Sequence, residues 1–114
     1  MSGAGEDAGE GAALIWCPFA DEEQAARAAD ALLEAGLIAC ANILPGIRSI
    51  YRWQGERGEA RECAALFKTS AARLDEAARH LAKIHPYDAP AIIGWRADFA
   101  GEATLEWLGT ETRG

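Results

Sequence analysis

From Leu37 to Trp53 the chain reads Leu-Ile-Ala-Cys-Ala-Asn-Ile-Leu-Pro-Gly-Ile-Arg-Ser-Ile-Tyr-Arg-Trp, a strand-forming run interrupted only by Pro45-Gly46. Strands in single domains are usually about five or six residues long. A ribbon this long overruns any small sheet and leaves backbone donors and acceptors that only another chain can pair. The run therefore predicts assembly between copies. With 114 residues, half of them apolar, the chain has one core near the lower limit of self-sufficiency, so covering a further face against identical chains adds useful stability.

Charge and cysteine usage exclude several classes. Eighteen acids against eleven bases give a formal charge of −7, the wrong sign for a phosphate backbone, and no nucleic-acid partner is expected. Cys17, Cys40 and Cys63 contain no CxxC pair and no basic-then-apolar leader precedes them, which fits a reduced, cytoplasmic protein. No apolar run has the length of a membrane span.

Residues 1–11 hold no large apolar side chain and read as a disordered acidic tail. Residues 12–114 read as one domain. Ala12 to Cys17 is apolar without alternation, as in a strand covered on both faces. Asp21 stands at an N-cap position with Glu22 and Glu23 in the first turn and Gln24 three residues on. Ala25, Ala28, Ala29 and Leu32 then share a face as far as Gly36, opposite Glu23, Arg27, Asp30 and Glu34. The polar stretch Gln54 to Glu59 predicts the turn of a hairpin whose second arm runs from Arg61 to Thr69. Ser70 predicts the cap of a second helix to Ile84, with Leu74, Ala77, Ala78 and Leu81 inward, Arg73, Asp75, Glu76, Arg79 and Lys83 outward, and His80 solvated. Pro86 ends it. A fourth strand over Pro90 to Ala97 and a short helix from Glu102 to Leu108 complete the order.

Strand, helix, strand, strand, helix, strand is satisfied by an α+β, ferredoxin-like βαββαβ sandwich with a C-terminal helix and the first strand inside the sheet. Trp16, Tyr51, Trp53, Phe67 and Trp95 carry more aromatic surface than one helical layer covers. A ring closed by strand pairing between subunits follows from that excess. The topology also sends the end of the first strand, Cys17, and the end of the second helix, His85, to one pole. A thiol and an imidazole there suit a soft or borderline metal, or a nucleophile and its base. The favoured reading is plainer, a buried small hydrophobe and a helix-end residue. Cys40 and Cys63 read as packing residues, and no triad, phosphate loop or HExxH marks an enzyme.

The block Ala39 to Gly55, then Lys68-Thr69, His85-Pro86-Tyr87 and Pro90, with Leu105 and Trp107 near the end, resembles the divalent-cation tolerance family, CutA. The resemblance spans roughly Leu14 to Leu108. It implies a ferredoxin-like homotrimer, a role in copper and divalent-metal tolerance, and a copper site whose ligands fall here on Cys17 and His85, with Ile84 where a second histidine can stand. Three functions are then open. One is metal binding through Cys17 and His85, with Cys63 as a possible third donor. Another is a ligand-sensing trimer, since PII-like signalling proteins share the architecture, with Arg48, Tyr51, Arg52, Lys68, Tyr87 and Asp88 lining an intersubunit cleft. The last is a partner-binding scaffold. Pro45, Gly46, Ile50, Trp53 and Trp107 are the residues expected at the trimer interface.

Overall fold

The computed structural model describes residues 11–112. The expected acidic tail lies outside them except for Gly11, whose carbonyl accepts from the Ala71 N–H at 2.7 Å. The elements are β1 (Ala12–Phe19), α1 (Glu22–Glu34), β2 (Cys40–Trp53), β3 (Glu56–Ser70), α2 (Leu74–Ile84), β4 (Ile93–Arg96) and α3 (Glu102–Glu111), with a 3-10 turn over Ala71–Arg73 before α2. Four strands form one antiparallel sheet in the order β2-β3-β1-β4, so β1 is interior as expected.

Alternation along β1 places Ala13, Ile15, Cys17 and Phe19 on one face, where they pack with Ala25, Leu32, Phe67, Leu74, Ala77 and Leu81. That face is covered by α1 and α2, whose apolar stripes are the predicted ones. Asp21 caps α1 by accepting from the Gln24 N–H at 2.8 Å, and Gln24 returns a bond to the Ala20 N–H. Gly36, at φ +71°, ends it. The second cap differs from expectation. Ser70 makes no side-chain cap: the Thr112 hydroxyl donates to the Leu108 carbonyl at 2.6 Å, so the Ser70 hydroxyl donates to Thr112 Oγ1 at 2.8 Å and ties α3 to the end of β3. Arg73, expected outward, donates from Nε to the Thr112 carbonyl at 2.7 Å.

Two further corrections concern lengths. The hairpin turn is two residues, not six: Gln54 and Gly55 sit at φ +51° and +81°, the left-handed pair of a tight turn whose twist matches its strands, and β3 begins at once. In contrast, β4 is shorter than expected. Its pairing with β1 stops at Ile93 opposite Trp16, and the next positions along β1 are Cys17 and Pro18, which has no N–H to offer.

Register decides which residues meet. Leu44 faces Ala64, but Ile47 faces Glu62, so Pro45 and Gly46 (φ +74°) together oppose Cys63 in a bulge. The bulge exchanges the faces of β2. Before it, Ala41 and Ile43 pack on the core; after it, Tyr51 and Trp53 lie on the side away from α1 and α2, and Arg48, Ile50 and Arg52 on the other. Beyond Phe19, paired with Cys63, β1 has ended, and the β2–β3 ribbon continues alone as an arm. It stretches the molecule to 50 × 28 × 23 Å with a radius of gyration of 15.0 Å, against about 13 Å for a compact chain of this length.

Candidate functional site

The pole shared by β1 and α2 is built around His85. Pro86 excludes the helical region for the residue before it, so His85 leaves α2 extended at ψ 135°, its N–H still bonded to the Leu81 carbonyl. Its ring stacks on Phe19 with centroids 4.4 Å apart and planes 12° apart. Nε2 lies 2.9 Å from the Pro18 carbonyl, and Nδ1 accepts the Tyr87 N–H at 3.1 Å. Those partners assign the neutral Nε2–H tautomer. The carbonyl is available because Pro18 lies past the last β1 residue that β4 pairs.

Tyr87 packs tilted against His85 at 4.6 Å, and its hydroxyl donates to Glu62 Oε2 at 2.7 Å. Burial, and then the hydrogen bond and charge of Glu62, push the phenol well above its ordinary value. Cys17 is fully buried in the core, its thiol 3.6 Å from the same Pro18 carbonyl that His85 uses. Burial first and the Glu62 charge second push that thiol up to about 12. Cys17 and His85 thus do converge, but on a shared acceptor.

The chemistry of this donor set does not fit a metal ion within one subunit. A ligand must be a thiolate or an imidazole with a free lone pair. Here the thiol is enclosed in the core beside the Pro18 carbonyl, and both ring nitrogens are engaged. Cys63 is buried with its thiol also pushed up, by desolvation first. Among the described residues no three His, Cys, Asp or Glu side chains are placed to hold an ion.

The cleft residues are not brought together as one set. Tyr51 lies on the side away from α1 and α2, its ring so close over Gly58 that a Cβ there would come within 2.5 Å of Cε1, and it contributes to the electrostatics of Tyr87. Arg48 and Arg52 are on the opposite face of the arm, Arg48 paired with Glu59. Lys68 sits opposite Cys40 and Leu14, six residues along β3 from Glu62, roughly 20 Å away. Asp88 is exposed. Pro45 and Gly46 are exposed at the bulge, as are Ile50, Trp53 and Trp107 elsewhere. Sequence reasoning missed Glu62, Pro18 and Phe19. Nothing local marks Glu62, which stands in a polar run and acquires its role only when Tyr87 arrives from the far side of α2.

The family profile described as CutA1 divalent ion tolerance protein matches residues 13–111. The chain belongs to that CutA1 family. The divalent-cation tolerance protein CutA of Pyrococcus horikoshii is 37% identical over 100 residues, covering 88% of this chain and 97% of its own. That of Thermus thermophilus is 39% identical over 99 residues, covering 87% and 94%. The crystal structure of the divalent ion tolerance protein CutA1 from Ehrlichia chaffeensis superposes with a TM-score of 0.84 at 36% identity, over 90% of this chain and 95% of that one. Membership in the CutA1 family relates the chain to divalent-cation tolerance in general.

Proposed function

We propose that the protein serves divalent-cation tolerance as a non-enzymatic, ferredoxin-like homotrimer in a reducing, cytoplasmic setting, joined through its hairpin arms. The observation that carries this reading is the uncovered surface. Leu44, Ile93 and Trp95 on the sheet face away from α1 and α2, and Tyr51 and Trp53 on the arm, are all at least 40% exposed, large apolar side chains of the kind that mark an interaction surface when they are grouped. An unpaired arm edge beside it is the natural template for a neighbour's strand. The free thiols of all three cysteines agree with the compartment.

In this reading Cys17 and His85 act as a structural clip and not as a preformed copper centre. A Cu(I) competition titration of the parent against Cys17→Ser with His85→Ala tests the point: equal affinities agree with it, and a loss of tight binding in the double variant overturns it.

The Glu62–Tyr87 pair favours a second reading, an intersubunit cleft that senses a small ligand, with Tyr51 above Gly58 as its aromatic wall. Thermal-shift measurements of the parent and Glu62→Gln with divalent cations, nucleotides and small anions separate the two. A shift that depends on Glu62 supports the cleft, and none in either protein rejects it.

A further inference from the structure

The two faces of the arm carry different chemistry. One bears Tyr51 and Trp53. On the other, Arg48 is paired directly with Arg61, Arg52 with Arg57, and Ile50 with Glu59, all six exposed. Like charges directly opposite each other disfavour strand pairing, and this face has two such pairs. Glu59 offsets one guanidinium through Arg48, and among the described residues Arg52 reaches the Gly55 carbonyl at 3.3 Å and no carboxylate. The face is a positive island on a chain of formal charge −7, with Ile50, 56% exposed, at its centre.

A complementary surface exists at the root of the arm. The acidic first turn of α1 and its cap, Asp21, Glu22 and Glu23, line a cavity of about 410 Å³ beside Pro45 and Gly46, together with Glu62 and with Arg61 at the inner end of the arginine face, so the cavity keeps an excess of acids. We propose that the distal arginines of one copy's arm, Arg52 and Arg57, dock with Ile50 on this acidic cavity of a neighbouring copy. The inference rests on the homotrimer proposed above and names the charged contact that orients it. A protein surface is favoured over a free polyanion because it covers Ile50 as well as pairing the guanidiniums. Donor and acceptor patches on different parts of one chain make a head-to-tail contact, the kind that closes rings. Opposite potentials also steer the encounter and penalise wrong orientations.

The test compares sedimentation of the parent, Arg52→Glu with Arg57→Glu, Glu22→Lys with Glu23→Lys, and the four changes combined, from low salt to about 0.5 M NaCl. Circular dichroism verifies the fold, and Glu22→Gln with Glu23→Gln replaces the lysine pair if helix α1 frays. Each single-surface reversal is expected to raise the subunit dissociation constant at least about tenfold, the parent to weaken with salt, and the combined protein to recover most of the loss. An assembly that ignores all four changes overturns the docking while leaving the trimer standing. A parent that is monomeric overturns the trimer itself. Inorganic tripolyphosphate binding that the arm reversal abolishes, with assembly unchanged, also overturns the docking and assigns the face to a free anion.

Discussion

The body and the arm are continuous along β2 and β3, yet they obey different rules. In the body, Ile15, Cys17, Phe19, Ala65 and Phe67 are fully buried beneath α1 and α2. In the arm, from Ile47 to Arg61, no residue is fully buried, although the ladder of cross-strand pairs runs unbroken. Helical cover makes the difference. Where α1 and α2 lie over the sheet, alternation sorts side chains into core and surface; past Phe19 both faces are surface in a single chain. The body is what this sequence covers by itself, and the arm is what, in the assembly proposed above, it presents to a neighbour.

Substitutions divide accordingly. Removing the Phe67 side chain should break the body: Phe67→Ala is expected to cost about 3–5 kcal/mol in denaturant unfolding, because its ring is fully enclosed and meets Phe19 edge-on. Trp53→Ala in the arm should leave far-UV circular dichroism unchanged and shift mass in light scattering towards the single subunit. If Trp53→Ala instead unfolds the chain, the distinction between the two regions fails.

Alkaline titration sharpens the same contrast. The Cys17 thiol is raised in the folded state from its ordinary 9.0 to about 12, so its contribution is complete below about pH 9 and is lost as pH rises towards 12. Tyr87, also raised, adds to the loss above about pH 10. Urea midpoints should therefore fall across that window, and Cys17→Ala should flatten the fall near its lower end. Tyr87→Phe removes one hydrogen bond to a carboxylate at 2.7 Å and should cost about 1–2 kcal/mol. Glu59→Gln, which breaks only the exposed pair with Arg48, should change subunit stability by no more than about 0.5 kcal/mol.

The helices were legible because their signal is local: the apolar stripe of α1 and the inward Leu74, Ala77 and Leu81 of α2 appear at helical spacing, and the buried residues are those. The arm was read short because Gln54 to Glu59 is polar, as both a loop and a doubly exposed ribbon are. Ser70 resembled a cap, but its partner Thr112 lies 42 residues away, beyond any local pattern. At the site, topology alone brings Cys17 and His85 to one pole. It does not show that Pro18 lends both the same carbonyl, that Phe19 holds the ring, or that Glu62 meets Tyr87. Likewise, alternation along the arm sets Tyr51 on one face and Arg48 and Arg52 on the other, splitting a cleft that looked continuous along the chain.

Subunit number at low concentration addresses the account most directly. Native mass spectrometry of the freshly purified protein, diluted well below micromolar, should find three copies held together without added metal. A folded species of one copy, persisting as concentration rises, would mean that the arm and the open face need no partner.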